Sequence, residues 1–523
     1  VVGRQCEAWQ RHARVLDPGA LSAAASVPEG LRATLRPYQV EGYQWLSALW
    51  DARLGGVLAD DMGLGKTVQT LALAQRALEA GELTKPVLVV APTSVLATWV
   101  GEAARFTPEV SVRAVPRTSR SRGRPLSEEI AGAHLVVTSY AVARIDAAEF
   151  ASVAWQALVL DEAQQVKNHR SKTYQAVRRL DREVTFTVTG TPIENDLMDL
   201  WSQLSLAAPG LFPAPDEFQR GWARPIAGGD RALAARLRSR IRPLMLRRTK
   251  EEVAPDLPPK TVSVVRLELT PGHRRIYDRA LLRERQRMLG LLEDPEANRV
   301  EILAALTRMR QLALDPALVP ALAFPGVADP PVDTLPSAAK IDHLVEQVIE
   351  LAAEGHRALV FSQFTSFLAR VRARLDAAGL ASAYLDGSTR DRQQVIRGFK
   401  EGEAPVFLIS LKAGGVGLTL TEADYVFVLD PWWNPAAEAQ AIDRAHRIGQ
   451  DKAVMVYRLV SADTIEDKVL ALQDRKRALA DRLVGDDPFT GGLTPQDILG
   501  LFDPREPAAD EPVQPSVSRR NVG

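Results

Sequence analysis

Cysteine is nearly absent from this sequence: Cys6 is the single thiol among 523 residues. One cysteine excludes an intramolecular disulfide framework and a cysteine-based metal cluster, as is usual in a reducing compartment. No apolar run approaches the roughly 18 residues that span a bilayer, so we expect a soluble protein. The sequence also lacks an excess of positive or negative charge, because 65 Lys and Arg residues balance 65 Asp and Glu residues. Nucleic-acid binding must therefore depend on local basic patches.

The start of the chain lacks an initiator methionine, since it reads Val1-Val2-Gly3, and no signal peptide is visible. We therefore expect residues 1–30 to be an extension truncated from a longer protein. The whole length predicts about three compact units, at about 100 to 200 residues per domain. The content of 46% hydrophobic and 25% charged residues is that of an average globular protein.

Short apolar runs alternate with helical patterns from Leu31 onward, which predicts an α/β fold class. Continuously apolar runs are typical of parallel strands that helices cover on both faces. They lie at 56–58, 87–90, 135–138, 158–160 and 185–188, and again at 358–361, 406–409, 425–429 and 454–457. The two series predict a first lobe over 31–205 and a second lobe over 336–485, with helical insertions and a linker over 206–335. In the C-terminal segment 486–523, we expect the proline-rich tail after residue 502 to be disordered.

A phosphate-binding loop follows the first apolar run. Residues 60–67 read Asp-Asp-Met-Gly-Leu-Gly-Lys-Thr, and a helical pattern continues to Leu78. In such a loop the glycines let backbone N–H groups surround phosphates, Lys66 pairs with the β- and γ-phosphates, and the Thr67 hydroxyl is a Mg²⁺ ligand. Asp60 stands where the general motif has its first glycine. The strand–loop–helix context nevertheless favours a nucleotide site over a glycine-rich loop without a ligand.

An acidic pair, Asp161-Glu162, ends the apolar run at 158–160. At the carboxyl end of a parallel strand, Asp161 can hold Mg²⁺ through water and Glu162 can orient or deprotonate the attacking water. Without the phosphate loop, such a pair is more often a solvated turn. The run Thr189-Gly190-Thr191-Pro192 follows another strand and either senses the bound state or forms a simple turn.

Residues 438–450 read Glu-Ala-Gln-Ala-Ile-Asp-Arg-Ala-His-Arg-Ile-Gly-Gln. The pattern predicts a helix with Arg444 and Arg447 on one face, where paired guanidinium groups suit a phosphate. An arginine finger contributes about 10³- to 10⁵-fold to γ-phosphate hydrolysis. If Arg447 acts on the nucleotide that Lys66 binds, two lobes must close over one site. The alternative is a surface helix with salt bridges.

The order of these motifs resembles that of Swi/Snf-type ATPases, which are members of helicase-like superfamily two with two RecA-like lobes. The matching segments are 35–39, 59–67, 91–94 with Trp99, 138–140, 161–164, 189–195, 246–250, 361–364, 385–388, 412–420, 430–435 and 443–450. The resemblance covers the chain from Leu35 to about Leu483. Gln164 differs from the His of many eukaryotic members and is similar to archaeal and bacterial ones.

The resemblance also implies a set of site residues. Its nucleotide-binding positions are Gln39 at the adenine, Asp61, Met62, Gly63, Leu64, Gly65, Lys66 and Thr67 in the loop, and Gly417. Its metal ligands are Thr67 and Asp161, and its catalytic residues are Lys66, Asp161, Glu162, Arg444 and Arg447. Its nucleic-acid groove is lined by Thr93, Ser139, Ser362, Gln363, Asp386, Gly387, Lys412, Gly414 and Trp433.

Two stretches are basic and free of acidic residues. Between Arg231 and Lys250 there are eight basic side chains, among which we predict Arg247 as a DNA contact. This stretch either contacts phosphate or braces the lobes. The second stretch, from Arg113 to Arg124, is a DNA-binding loop or ordinary solvated surface.

The function implied by the resemblance is an ATP- and Mg²⁺-dependent translocase that follows double-stranded DNA and displaces or remodels DNA-bound proteins. One alternative is a strand-separating helicase, and another is a non-catalytic, ATP-gated DNA-binding scaffold. We expect a monomer with no membrane contact and with RNA polymerase or another DNA-bound protein as partner. It would work in the cytoplasm, at the nucleoid of a prokaryote, or in a nucleus.

Overall fold

The computed structural model of the chain describes residues 25–190, 192, 197–294, 297–319, 336–414, 419–432, 435–471 and 499–503. The tail predicted to be disordered lies outside these residues, except for Asp503. None of the helices within these ranges has the length and hydropathy of a membrane span. The chain divides into two compact units, Val1–Val265 with Leu344–Leu459 and Ala471–Gly492, and Arg266–His343 with Val460–Leu470 and Leu493–Gly523.

The first lobe is built on a seven-stranded sheet with the order β3-β4-β2-β5-β6-β1-β7. Its strands are β1 Gly56–Leu58, β2 Val87–Ala91, β3 Val112–Val115, β4 Leu135–Ser139, β5 Trp155–Asp161, β6 Arg182–Val188 and β7 Met245–Leu246. All neighbouring pairs are parallel. Every strand predicted in this lobe is confirmed.

Burial on both faces explains why these strands are continuously apolar. Along β2, Val87 and Val89 belong to the apolar core on one face of the sheet, whereas Leu88 and Val90 belong to the core on the other face. The helices that cover the faces are α1 Pro37–Asp51, α2 Lys66–Glu79, α3 Leu96–Phe106, α4 Tyr140–Ile145, α5 Lys172–Arg178, α6 Leu197–Ala207 and α7 Arg231–Ile241. Shorter helices lie at Ser119–Arg122, Leu126–Glu129, Ala147–Ala151, Pro215–Phe218, Arg224–Ala227 and Lys250–Val253.

The second lobe is built on a six-stranded sheet with the order β10-β11-β9-β12-β13-β8. Its strands are β8 Lys260–Leu267, β9 Ala358–Ser362, β10 Ser382–Leu385, β11 Val406–Ser410, β12 Tyr425–Val428 and β13 Val454–Ser461. The pairs that join β10 through β13 are parallel. The chain's later helices are α8 Pro271–Leu291, α9 Arg299–Leu314, α10 Ala339–Ala353, α11 Thr365–Ala377, α12 Arg392–Glu401 and α13 Pro435–Ile442, with a short one at Leu411–Gly414. The two parallel sheets confirm the predicted fold class.

The stretch predicted as insertions and linker contributes a strand to each sheet. Strand β7 pairs with β1, and the Ala59 N–H donates to the Leu246 carbonyl at 2.7 Å. Strand β8 lies at the edge of the second sheet. A two-residue strand such as β7 carries no periodic signal, so the sequence pattern does not reveal it.

The second compact unit packs α8 against α9 around a core of its own. Buried apolar side chains include Leu281, Met288, Leu306 and Met309. A buried ion pair between Lys340 and Glu466 lies in the same unit.

Candidate nucleotide site

The phosphate-binding loop has the backbone that a nucleotide site requires. Gly63 and Gly65 adopt left-handed conformations, with φ of 85° and 77°, and Gly65 is the N-cap of α2. The left-handed φ of Gly65 disfavours any side chain there, and an added Cβ would also lie 2.4 Å from Gln39 Nε2. Lys66 Nζ donates to the carbonyls of Asp60 at 2.6 Å and Asp61 at 3.1 Å. Burial lowers the pKa of Lys66, against the opposing effect of Glu162.

Gln39 lies directly on this loop. Its Nε2 donates to the Leu64 carbonyl at 3.1 Å, and its Oε1 accepts from the Arg36 N–H at 2.9 Å. Its contact with adenine stays a prediction. Met62 packs against Gly190, where an added Cβ would lie 2.8 Å from Met62 Cγ.

The Asp60 substitution in the motif has a partner that the sequence analysis missed. Arg248 binds the fully buried Asp60 carboxylate through two hydrogen bonds, which Nε donates at 3.0 Å and Nη2 donates at 2.6 Å. The same guanidinium donates to the Tyr38 carbonyl and, at 3.2 Å, to Gln69 Oε1. Arg248 therefore braces the first residue of the loop instead of contributing to the basic surface.

The acidic pair lies at the end of β5, where the sequence places it. Asp161 Oδ2 accepts from Trp99 Nε1 at 2.8 Å, and Oδ1 accepts from the Glu162 N–H at 3.0 Å. Burial and the neighbouring Glu162 charge raise the pKa of Asp161 to about 7, although the Trp99 hydrogen bond and Lys66 oppose this. Glu162 itself has a left-handed backbone, with φ of 49°.

A chain of hydrogen bonds runs through Glu162. Gln164 Nε2 donates to Glu162 Oε2 at 2.9 Å, and the Thr189 hydroxyl donates to Gln164 Oε1 at 3.1 Å. On the other side, Gln440 of the second lobe donates to Glu162 Oε1 at 3.4 Å. Thr189 is thus linked to the acidic pair, which favours the sensing interpretation over a simple turn; Thr191 lies outside the described residues.

The helix predicted over 438–450 ends at Ile442, so that prediction is wrong for its second half. Residues 443–447, which we call the arginine turn, form successive turns because other segments bind their carbonyl groups. The Leu420 N–H donates to the Arg444 carbonyl at 3.0 Å, and Lys250 Nζ donates to the His446 carbonyl at 2.6 Å. These tertiary hydrogen bonds replace the helical ones.

Both arginines of this turn nevertheless reach the loop and the acidic pair. A Cβ on Gly63 would lie 3.1 Å from Arg447 Cβ, and Arg447 Nη1 donates to the Thr419 hydroxyl at 3.0 Å. Burial lowers the pKa of Arg444 to about 10 and also lowers that of Arg447, while the Glu162 charge opposes both shifts. The structure therefore brings together Lys66, Glu162, Arg444 and Arg447 from two lobes.

The residues at this site fit ATP and Mg²⁺. The left-handed glycines and the start of α2 form a phosphate cradle. One carboxylate and one hydroxyl, Asp161 and Thr67, match the few protein ligands that Mg²⁺ takes when phosphates and water supply the rest. Burial is the main cause of the raised pKa of Asp161, and a divalent cation bound there would favour its ionised form. Gly417 lies outside the described residues.

The predicted DNA-contacting residues lie after the carboxyl ends of strands. Thr93 is exposed after β2, while Ser139 is buried and its Oγ accepts from the Val142 N–H at 3.2 Å. Ser362 at the end of β9 is fully buried, and its Oγ accepts from the Phe364 N–H at 3.1 Å. The hydroxyl groups of both serines are thus already engaged, and their roles as DNA contacts stay predictions.

In the second lobe, the remaining positions follow β9, β10 and β11. The Gln363 backbone and side-chain amides donate to Asp430. Asp386 accepts from the Ser388 hydroxyl and N–H, and these hydrogen bonds lower its pKa; Gly387 beside it is exposed. The short helix after β11 holds Lys412 and Gly414. Trp433 lies outside the described residues.

Part of each basic stretch is structural. Arg248 and Lys250 are buried in ion pairs, whereas Arg247, which precedes them, is exposed. In the Arg113–Arg124 stretch, Arg122 is buried and pairs with Glu149 at 2.6 Å. The first stretch therefore braces the lobe, and Arg247 stays available for a phosphate contact.

The fold and the site together identify the class of this protein. It is a P-loop ATPase in which two parallel-sheet lobes contribute to one nucleotide site. Residues 38–318 match the family model for the SNF2-related domain, and residues 339–449 match that for the helicase conserved C-terminal domain. The chain therefore belongs to the SNF2-related family, which confirms the resemblance noted in its motifs.

Relatives of the chain occur in bacteria and in animals. It is 34% identical over 494 residues to YwqA of Bacillus subtilis, whose name assigns it as an ATP-dependent helicase/translocase, covering 92% of this chain and 53% of YwqA. It is 32% identical over 455 residues to the human SWI/SNF-related regulator of chromatin subfamily A member 1, covering 85% and 43%. The chain thus spans about half the length of these relatives. Among solved structures, the Sulfolobus solfataricus SWI2/SNF2 ATPase core in complex with dsDNA is 32% identical, with a TM-score of 0.45, covering 88% of this chain and 96% of that one.

Proposed function

We propose that this chain is an ATP-dependent translocase that moves along double-stranded DNA without separating its strands. The observation that carries the proposal is the composite site, in which the arginine turn of one lobe lies against the phosphate-binding loop and Glu162 of the other. A site divided in this way makes hydrolysis depend on the relative position of the lobes. Lobe movement is the step that a motor converts into translocation.

Each residue at the site has a role in hydrolysis under this proposal. Lys66 and the loop N–H groups bind the β- and γ-phosphates, and Thr67 with Asp161 would hold Mg²⁺, which would neutralise phosphate charge. Glu162 orients the attacking water and accepts its proton. Arg444 and Arg447 stabilise the negative charge that develops on the transferred phosphoryl group.

The names of the relatives and the exposed residues of this chain support DNA as the substrate. YwqA carries helicase/translocase in its name, and the human relative is named as a regulator of chromatin. In this chain, exposed residues such as Thr93, Arg247 and Gly387 lie after strands or near their ends. Contacts with phosphate groups do not depend on sequence, as a motor on arbitrary DNA requires.

The test is ATP hydrolysis measured alone and with matched double-stranded DNA, single-stranded DNA or RNA, each at two salt concentrations. We expect stimulation by duplex DNA that weakens as salt rises, together with displacement of a triplex-forming strand and no unwinding of the duplex. Hydrolysis that responds only to single strands would instead support the strand-separating helicase. Absence of hydrolysis on every substrate would support the ATP-gated scaffold.

The work done by translocation is proposed to be the displacement or remodelling of DNA-bound proteins, such as RNA polymerase. A motor that follows duplex DNA pushes against whatever is bound ahead of it. The proposed location is therefore the chromosomal DNA, at the nucleoid of a prokaryote or in a nucleus. A block of bound protein placed on the DNA track tests this step, since an active motor shortens the lifetime of the block in an ATP-dependent way.

A further inference from the structure

Residues 246–260, which we call the bridging segment, contact the phosphate-binding loop on one side. The Asp61 N–H donates to the Arg248 carbonyl at 3.0 Å, and Asp61 Oδ2 accepts from the Lys250 N–H at 3.1 Å. Backbone and side chain of Asp61 are thus both held by this segment. Asp61, the loop residue after Asp60, is therefore held by two hydrogen bonds to the bridging segment.

The same segment contacts the arginine turn on its other side. Lys250 Nζ lies 2.8 Å from Asp443 Oδ1 and donates to the His446 carbonyl at 2.6 Å. His446 Nε2 in turn donates to the Pro258 carbonyl at 2.8 Å, and Lys260 lies 3.6 Å from the same Asp443 oxygen. Backbone and side-chain groups of the turn are therefore both held by the bridging segment.

An apolar contact reinforces these polar ones. Leu64 of the phosphate-binding loop and Ala254 of the bridging segment belong to one buried cluster with Tyr38. Ile448, next to the arginine turn, packs against this cluster. Loop, bridging segment and turn consequently share one core, separate from the cores of the two sheets.

Lys250 is the residue that joins the two sides. Its backbone N–H binds the loop, while its ammonium group binds the turn, and its side chain is only 5% exposed. A buried ion pair is a costly way to gain stability, because both charges lose their hydration. What it does provide is a fixed geometry between the groups it connects. Here those groups are the loop that binds phosphate and the turn that carries Arg444 and Arg447.

We infer that Lys250 is a positioning residue for ATP hydrolysis, which holds the arginine turn against the phosphate-binding loop through Asp443 and the His446 carbonyl. The inference rests on the proposed function and specifies how its composite site is assembled. A displacement of about 1 Å at reacting groups costs about 10²-fold in rate. Lys250→Met is therefore expected to lower kcat by about 10²-fold with little change in ATP affinity.

The first experiment compares the full chain with Lys250→Met and with Lys85→Met. Lys85 is a matched control, because it forms an exposed ion pair with Glu183 at 3.0 Å, away from the site. The measurements are kcat and KM for ATP with saturating duplex DNA, and the Kd of a fluorescent ATP analogue. We expect loss of kcat alone in Lys250→Met and wild-type values in Lys85→Met. Undiminished kcat in Lys250→Met would overturn the inference.

Two further variants separate positioning from stability. In an Arg447→Ala background, adding Lys250→Met is expected to cause no further loss of kcat, whereas a full additional loss would contradict action through the arginine turn. In Lys250→Met/Asp443→Asn, removal of the carboxylate that has lost its Lys250 partner is expected to restore the melting temperature while kcat stays low. Recovery of kcat together with the melting temperature would show that Lys250 is merely structural. An inactive wild type would instead overturn the proposed function.

Discussion

Glu162 combines a left-handed backbone conformation with a carboxylate that is bound by side chains of both lobes. Its left-handed backbone, with φ of 49°, costs a non-glycine residue about 1 to 3 kcal/mol. The surrounding hydrogen bonds maintain it, since its N–H donates to Asp161 and its two carboxylate oxygens accept from Gln164 and Gln440. The carboxylate is thereby held between groups of both lobes, as a residue that orients water must be.

Replacing Glu162 by Gln is expected to abolish turnover without preventing ATP binding. The amide keeps the size of the side chain but cannot accept a proton, and general-base catalysis contributes about 10²- to 10⁴-fold. The measurements are DNA-stimulated phosphate release and the Kd of a fluorescent ATP analogue. The exposed Glu128→Gln variant, outside the bridging segment, serves as a control for the loss of one negative charge. Normal DNA-stimulated hydrolysis by Glu162→Gln would disprove its assigned role.

The buried Asp60–Arg248 pair leads to a prediction about stability. Asp60→Asn leaves the Arg248 guanidinium buried without its counter-charge, which is expected to cost about 3 to 5 kcal/mol of unfolding free energy. The double variant Asp60→Asn/Arg248→Met removes the stranded charge and should cost less than the sum of the two single changes. Urea unfolding of the three variants measures this. Strictly additive losses would show that the two residues act independently.

At the scale of elements, the sequence pattern predicts the strands but not the conformation of every segment that connects them. The runs at 87–90 and 358–361 are apolar on every residue, so burial on both faces specifies them locally. The turn at 443–447 has a helical pattern, but the N–H of Leu420 and the ammonium of Lys250 bind its carbonyl groups. Those partners are distant in sequence, and local periodicity carries no information about them.

The packing of α8 against α9 should make stability depend on pH through His273. Its imidazole is buried, and Nε2 donates to the Leu312 carbonyl at 2.5 Å. Burial lowers its pKa below the ordinary 6.5, against that hydrogen bond and the Asp315 charge, and with the aid of Arg274 and Lys340. Below pH 6.5 the unfolded chain therefore binds a proton that the folded chain resists.

The stability due to neutral His273 is consequently present above pH 6.5 and lost as pH falls toward the lower pKa of the folded state. The measurement is the unfolding free energy from about pH 8 to about pH 5 for the wild type and His273→Gln. Glutamine keeps a donor for the Leu312 carbonyl but does not titrate. We expect a shallower decline toward acid in the variant, and identical slopes would refute the contribution of this histidine.

At the scale of the whole molecule, the sequence predicts which lobes exist but not how they are joined. The ordered motifs place a phosphate loop in one lobe and two arginines in the other, and the resemblance implies that they meet. The joining contacts are pairs such as Lys250 with Asp443 and Lys250 with the His446 carbonyl, the latter 196 residues apart. Each member alone resembles ordinary surface charge in the sequence, so only the folded chain shows its partner.

An exposed positive charge of the bridging segment, Arg247, leads to a prediction about the whole motor on DNA. Arg247 is exposed, whereas Arg248 and Lys250 after it are buried, so among these three basic residues Arg247 is the one that can reach a phosphate. A phosphate contact releases about 0.9 of a counterion from duplex DNA. In a plot of log K against log salt concentration, Arg247→Ala should therefore reduce the slope by about 1 and weaken binding to all sequences alike.

Arg275→Ala removes an equally exposed charge from α8 and is the matched control, for which no change in slope is expected. The apparent affinity for DNA is read from the concentration that half-saturates ATP hydrolysis, and independently from fluorescence anisotropy without ATP. Because Arg248 and Lys250 make the hydrogen bonds that hold the loop while Arg247 is exposed, kcat at saturating DNA should stay at the wild-type value. A lowered kcat with an unchanged salt slope would instead assign Arg247 to the bridging segment's hold on the nucleotide site.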